Sequence, residues 1–338
     1  MIESATLKDV AKEAGVGVTT VSRFLNNDAT LKISSSTKEK IELAVEKLNY
    51  RPNALARSLK SGKTFTFGLV IPDFNNPVYS KIITGVEQAL IEQGYDLLVT
   101  SDKRAEKKRS YLNLVSEGKV DGLLIASSKL NDEEIEKLNG TNIPYVFINR
   151  LGKGAKNYVI ANDEMGAYKA VSYLLDNNHE QIIHLTGDID TDTSTRRLQG
   201  YKKALVDRQL QVNDKLIIQT EYTEKSGYEE MAAVLQKGEL DFTAVFAANV
   251  RVAFGAMAAL RDFDLRVPED VSIIGFHDIT LCTITAPPLT TIKIPLYEMG
   301  MKAGNVLIDL IQNHSEEHKI VVEESDLIIR NSVKKLEK

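Results

Sequence analysis

Val18, Thr19, Thr20, Ser22 and Arg23 follow a glycine break, Gly15-Val16-Gly17, and lie within two turns of a helix expected from Val18 to about Leu25. Thr19 and Arg23 are four residues apart and so share one face. An arginine there can donate two parallel hydrogen bonds to a guanine edge, and an apolar Val18 can touch a thymine methyl. Ser22, Asn26, Ser34 and Thr37 are small polar groups suited to phosphate oxygens, which position a protein on nucleic acid without reading its sequence. The competing reading buries Val18 in a core and leaves Arg23 merely solvated.

The elements that would hold these groups are three helices. Thr6 can cap one running from Leu7 to about Ala14. The glycine break and the Val18 helix follow, then a polar loop from Asn26 to Lys32. Ser34 can cap a third helix with Ile41, Ala44, Val45 and Leu48 on one apolar face, ending near Asn49-Tyr50-Arg51-Pro52. Helix, short turn and helix is the geometry in which the second helix enters a major groove. Asn53 to Leu59 is rich in helix formers but too short to stand alone in water, and Ser61-Gly62-Lys63 reads as a linker.

From Phe65 the rhythm changes. Strands are expected at 65–72, 95–101, 120–127, 144–149, 158–162, 181–187, 216–221, 244–249 and 271–277, with helices such as 77–93, 164–177 and 250–262 between most of them. This alternation predicts an α/β body of parallel sheets covered on both faces. The rhythm breaks around 150–160, which divides the strands between two similar sheets. Leu289–Ile294, a helix at 296–312 and strands within 319–330 can cross back to the first.

Bulk properties agree with a cytoplasmic globular chain. Of the 338 residues, 43% are hydrophobic and 26% charged, and Cys282 is the one cysteine, so no internal disulfide can form. The polar start, Met1 to Asp9, is unlike an export signal, and no apolar run reaches membrane-spanning length. Residues 1–63 carry 11 Lys and Arg against 7 Asp and Glu, whereas the rest carries 31 against 40. A basic head on an acidic body suggests that the head meets a polyanion.

Other motifs give little. Asp188, Asp190 and Asp192 resemble the start of a calcium loop, but Thr193 and Gln199 replace its glycine and glutamate. His314 and His318 lack the glutamate and third ligand of a zinc site. Gly152-Lys153-Gly154 lacks phosphate-loop spacing, and no G-x-S-x-G occurs. No metal, cofactor or catalytic residue is expected. A sugar-binding transport protein and a cytosolic α/β enzyme remain as alternatives. The first is opposed by the basic head and missing export signal.

The headpiece resembles that of the LacI/GalR family in Thr6-Leu7-Lys8-Asp9-Val10-Ala11, Ala14-Gly15-Val16, Thr20-Val21-Ser22-Arg23-Phe24-Leu25-Asn26, Leu48-Asn49-Tyr50-Arg51-Pro52-Asn53 and Ala54-Leu55-Ala56-Arg57-Ser58-Leu59. The body matches in Ile71-Pro72-Asp73, Asn76-Pro77, Val120-Asp121-Gly122, Arg197-Leu198-Gln199-Gly200-Tyr201, Ala248-Asn249, Ile274-Gly275-Phe276 and Pro288-Leu289-Thr290-Thr291. The matches are collinear over nearly the whole chain. They imply a helix-turn-helix domain at 1–52, a hinge helix and linker at 53–63, and a periplasmic-binding-protein-like body at 64–338. Its N-subdomain would take about 64–162 and 290–320, its C-subdomain about 163–289 and 321–331.

The implied function is that of a DNA-binding transcription regulator, a repressor acting as a homodimer on a pseudo-palindromic operator under a small-molecule effector. The resemblance adds Thr6, Tyr50, Asn53 and Ala56 to the DNA-facing residues and makes Leu59 the wedge that the hinge inserts into the minor groove. It places the effector among Phe74, Asn75, Asn76, Tyr79, Asn149, Arg150, Arg197, Tyr222, Asn249, His277 and Asp278. Gly17 departs from the usual Ser or Asn cap, and the loop to Ser34 is about two residues longer than in many relatives.

His277 and Val250 stand where many sugar-binding relatives carry Asp, while Arg150 and Arg197 are kept. That pattern suggests an anionic sugar derivative beside a protonated His277. A neutral sugar or nucleoside, with neutral His277 accepting one bond, stays open. The chain ends without the leucine-heptad helix of the family's tetramers, so a dimer is expected. Asn305 and Asp309 replace the basic face by which one branch binds a phosphorylated carrier protein, so no such partner is expected.

Overall fold

The structure is a computed structural model and describes residues 5–25, 28, 30–50, 58, 62–102, 112–127, 132–152, 154–239, 241–313 and 317–337. The chain forms two units, Met1–Thr64 and Phe65–Lys338.

The first unit holds three helices: α1 (Leu7–Ala14), α2 (Val18–Leu25) and α3 (Ser35–Lys47). Thr6 and Asp9 close a reciprocal capping box at the start of α1, and Gly15 ends it at φ 67°, in the left-handed region open to glycine. Gly17 supplies the carbonyl that accepts from Thr20 and Val21, so α2 starts without a side-chain cap. The Ser34 hydroxyl accepts from the Thr37 amide and caps α3. Val10, Ala11, Ala14, Val21, Ile41 and Ala44 pack into the unit's core.

The second unit holds two six-stranded sheets. The first contains β1 (Thr66–Ile71), β2 (Asp96–Ser101), β3 (Gly122–Ile125), β4 (Tyr145–Ile148), β5 (Tyr158–Ala161) and β11 (Lys319–Val322), in the order β11-β5-β4-β3-β1-β2, all parallel. The second contains β6 (Ile182–Leu185), β7 (Ile217–Ile218), β8 (Ala244–Ala247), β9 (Ser272–Phe276), β10 (Thr290–Lys293) and β12 (Asp326–Ile328), in the order β12-β10-β9-β8-β6-β7. Only its β10–β12 pair is antiparallel. The two orders are the same when read from the edge strand inward. The strands are short apolar runs, with β3, β4, β6, β8 and β9 buried throughout, as coverage on both faces requires.

The helices are α4 (Val78–Ile91), α5 (Leu112–Ser116), α6 (Asp132–Asn139), α7 (Asp163–Asp176), α8 (Asp192–Asp207), α9 (Glu224–Lys237), α10 (Val250–Asp262) and α11 (Leu296–Asn313). Side chains of Asn162, Thr191, Thr223 and Asn249 cap α7, α8, α9 and α10 where the chain leaves the strands. Pairs of helices cross closely. A Cβ on Gly255 would meet the Glu224 carbonyl at 2.0 Å, so α10 lies directly on the first turn of α9. Among the described residues, no helix is long and apolar enough to cross a membrane.

One expected boundary moves. The sequence reading places residues 290–293 in the first subdomain, but Thr290–Lys293 pair with β9 and β12 in the second sheet. The chain crosses only at α11, which packs on α4, and returns after Val322. The strand near 216–221 shortens to Ile217–Ile218 because it sits at a sheet edge beside β6 alone. Of the expected hinge helix, residues 53–57 and 59 lie outside the described residues.

Candidate functional site

In the headpiece, Val18 is 40% exposed and Thr19 is exposed, so neither serves the core. Thr20, Ser22 and Arg23 are half-buried along α2. Arg23 is held by the loop after the helix: its Nε donates to Asp28 Oδ2 at 2.7 Å and its Nη2 to Thr30 Oγ1 at 2.7 Å. Thr6 and Ser34 are engaged as caps, and the Thr37 hydroxyl lies 2.9 Å from that of Ser34. Tyr50 packs against the headpiece core. Asn26, Asn53, Ala56 and Leu59 lie outside the described residues.

Several non-glycine residues of the body adopt left-handed backbone, and three of them follow strands: Asn149 after β4 at φ 65°, Tyr222 between β7 and α9 at 61°, and His277 after β9 at 75°. Such conformations are costly and gather at functional sites. They come from both sheets. Arg150, beside Asn149 in the first lobe, lies over the Tyr222 ring of the second, with Cζ 5.2 Å from its centroid. Tyr79 from α4 is buried against the same group, and desolvation, only partly offset by Arg150, raises its pKa. The Tyr222 hydroxyl lies 2.6 Å from that of Ser194, with Thr193 and Thr191 at 3.1 and 3.2 Å.

Arg197 is buried at 2% exposure, yet it faces a carboxylate of the protein itself. Its Nε and Nη2 donate to Asp163 Oδ1 at 2.8 and 2.6 Å, its Nη1 to the Ala248 carbonyl at 2.5 Å, and its plane covers the Phe276 ring. Asp163 also binds Arg196 at 2.5 Å, and Arg196 binds Asp192. Burial would raise the Asp163 pKa, but Arg197 and Arg196 outweigh it and hold the carboxyl below its ordinary range.

The remaining Arg197 contact fixes His277. Nη2 lies 3.3 Å from His277 Nε2. A guanidinium only donates, so Nε2 accepts and the proton of the neutral ring sits on Nδ1. Burial, reinforced by Arg197, pushes the imidazole pKa well below 6.5. This geometry favours a neutral ring that offers a donor at Nδ1, which differs from the ring protonated beside an anion, and from the neutral ring accepting from ligand, that the sequence suggests. His277 Nδ1 and Asn149 Oδ1 are buried atoms that make no hydrogen bond to a described residue.

Of the other expected effector residues, Asn249 stays with the cluster, while the rest are tied elsewhere or exposed. Asp278 accepts from Thr291 Oγ1 at 2.7 Å and from Arg330 at 2.8 Å, which ties it to the far strands of its own sheet. Asn249 caps Val252 and donates to the Tyr222 carbonyl at 3.1 Å. Phe74 is 60% exposed, Asn75 is exposed, and Asn76 accepts from the Val78 amide in the turn leading to α4. Sequence reasoning missed Asp163, Asp192 and Arg196. The double arginine Arg196-Arg197 was the visible signal, since buried guanidinium groups need carboxylates.

Residues 6–53 match the sequence profile of bacterial regulatory proteins of the lacI family, and residues 171–333 match a periplasmic binding protein-like domain. The chain is 36% identical to the HTH-type transcriptional repressor PurR of Vibrio campbellii, over 98% of this chain and 99% of that protein. Among solved structures, the lac repressor dimer bound to operator and the anti-inducer ONPF aligns with a TM-score of 0.83 at 28% identity, covering 98% of this chain and all of the other. The transcriptional regulator CelR–cellobiose complex aligns at 0.73 with 31% identity, covering 97% and 99%. This chain belongs to the LacI family of bacterial regulatory proteins, as a DNA-binding transcription regulator with a ligand-binding body and not an enzyme.

Proposed function

We propose that the protein is a cytoplasmic repressor that binds a pseudo-palindromic operator as a homodimer and is switched by a small molecule held between its two sheets. The observation that carries the reading is the convergence of side chains from both lobes, with Arg150 over Tyr222, beside two buried polar atoms without described partners, His277 Nδ1 and Asn149 Oδ1. A polar molecule that satisfies groups from both lobes binds one arrangement of the lobes better than another, which is what allosteric control needs. Val18, Thr19 and Arg23 would read bases, with Leu59 entering the minor groove as a wedge.

The effector is a sugar or sugar derivative. Arg150, Arg196 and Arg197 face Asp163 and Asp192, an excess of one positive charge with His277 neutral, and this supports a singly negative ligand. Neutral sugars are the second reading, supported by similar regulators solved with cellobiose and ribose. The test combines sedimentation, selection of bound duplexes from random DNA, and a thermal-shift series with cellobiose, ribose, gluconate and glucose 6-phosphate. A dimer, one enriched two-fold site and a raised midpoint are expected. Binding without sequence preference would overturn the repressor reading.

A further inference from the structure

The loop after α2 does more than join helices. The Asp28 amide donates to the Arg23 carbonyl at 3.1 Å, which anchors Asp28 against the end of α2. Asp28 Oδ2 then accepts from Arg23 Nε at 2.7 Å. Asp28 Oδ1 accepts from the Thr30 amide at 2.8 Å and from its hydroxyl at 2.6 Å, and that hydroxyl accepts from Arg23 Nη2 at 2.7 Å. Backbone, carboxylate, hydroxyl and guanidinium form one closed network.

A guanidinium has two edges that each present a pair of donors. The network occupies the Nε/Nη2 edge. The outer Nη1/Nη2 edge makes no further hydrogen bond to a described residue, and the Arg23 side chain remains 41% exposed. That outer edge is the pair of donors left to meet guanine O6 and N7 end-on.

We propose that Asp28 is a positioning residue for DNA reading: with Thr30 it holds Arg23 side-on, so that the outer edge of the guanidinium is presented to a guanine. The proposal rests on Arg23 being a base reader. Two consequences follow. The rotamer freedom of a long side chain is given up before DNA is met, so less is lost on binding. The carboxylate also balances the arginine charge, so that Arg23 is a poor ligand for phosphates and a lone cation is not spent on random sequence.

The test uses the full chain and the half-site that it selects from random duplex DNA. Binding is measured with each base at each position, for the wild type, Arg23→Ala, Asp28→Ala, Asp28→Asn and Thr30→Val. The wild type should prefer guanine at one position by about tenfold or more, and Arg23→Ala should lose that preference alone. Asp28→Ala should reduce it to about threefold or less while binding random DNA more tightly, with a log–log salt slope steeper by about one. Asp28→Asn keeps an acceptor without the charge and should retain more of the preference. Thr30→Val removes the two hydrogen bonds of the hydroxyl, to Arg23 and to Asp28, and no charge, and its smaller loss decides the matter if Asp28→Ala disturbs the loop. Full guanine preference in both Asp28→Ala and Thr30→Val, with Arg23→Ala losing it, overturns the positioning role and leaves Arg23 as reader. An unchanged selected site in Arg23→Ala overturns the base-reading assignment and the proposal with it.

Discussion

Asp73 and Arg251 meet across the two lobes of the body, with Asp73 Oδ2 3.4 Å from Arg251 Nη1. Asp73 follows β1 in the first lobe, and Arg251 sits in the first turn of α10 in the second. Arg251 is aimed by Glu224, which takes its Nε at 2.8 Å and its Nη2 at 2.6 Å. Asp73→Asn, Arg251→Gln and the double variant should show a coupling of about 0.5–1 kcal/mol in chemical unfolding, shrinking in high salt. Small-angle scattering of the single variants should give a larger radius of gyration. Strictly additive losses with unchanged scattering would remove the pair as a link between the lobes.

The Arg197–Asp163 pair is of another kind, because both side chains are buried. Replacing one partner strands the other charge. Asp163→Asn should cost about 3–5 kcal/mol in urea unfolding, and the double variant that combines Asp163→Leu with Arg197→Met should recover much of it. The depressed carboxyl pKa fixes the sign with pH: the stability it supplies is present above the ordinary aspartate value and is lost as pH falls through its lower folded value. For Asp163→Asn, a cost below about 1 kcal/mol, the level of an exposed pair, would show that the Ala248 carbonyl and the remaining amide oxygen at position 163 suffice to hold Arg197.

The legible parts of the sequence are those governed by neighbours in the chain. The bounds of α1 and α2 follow from Thr6, Asp9 and the glycine break, and most strands from apolar runs that serve two covered faces. The place where the chain changes lobes is hidden, because Thr290-Thr291-Ile292 suits either sheet and is decided by pairing with Ile274–Phe276 and Leu327–Ile328. The cleft is half legible. Arg150, Tyr79, Asn149, Tyr222 and His277 gather as expected positions, but what each does depends on partners far along the chain. Arg197 is paired with Asp163, a partner 34 residues away that no local pattern reveals. Asp278 leaves the cluster only because Arg330 and Thr291 claim it.

His184 provides a pH test away from the cleft. It is stacked between Tyr201 and Phe246, with ring centroids at 5.1 and 4.7 Å, and shares a 3.0 Å hydrogen bond with the Phe246 carbonyl. Burial pushes its pKa from 6.5 down to about 4. The unfolded chain takes up this proton first, so stability present above pH 6.5 is lost as pH falls toward 4, by on the order of 3 kcal/mol. His184→Phe keeps the stack and should flatten this part of the pH profile, at a cost of about 1 kcal/mol near pH 7 from the lost hydrogen bond. An equal acid slope in the variant and the wild type would assign the effect elsewhere.

The tautomer of His277 is set by the protein. Arg197 donates to Nε2, Arg150 and Arg197 repel an added proton, and Asp163, which attracts one, is already shared by Arg196 and Arg197. Burial is the largest effect, and the Phe276 backbone, which favours a proton, does not outweigh it. The ring should therefore stay neutral with the proton on Nδ1 throughout about pH 5.5–8, where an ordinary histidine titrates. Nitrogen NMR of the ligand-free protein should show a protonated Nδ1, an unprotonated Nε2 and no titration in that range. Any compound that raises the thermal midpoint should then bind with a pH dependence from its own groups and not from His277. His277→Asn, with an amide donor near the Nδ1 position, should keep more affinity for that compound than His277→Asp, which offers only acceptors. A ring that titrates near its ordinary value of about 6.5, or binding that tightens about tenfold across the histidine range for a ligand without groups of its own there, would restore the protonated histidine and show that the hydrogen bond from Arg197 does not form in solution.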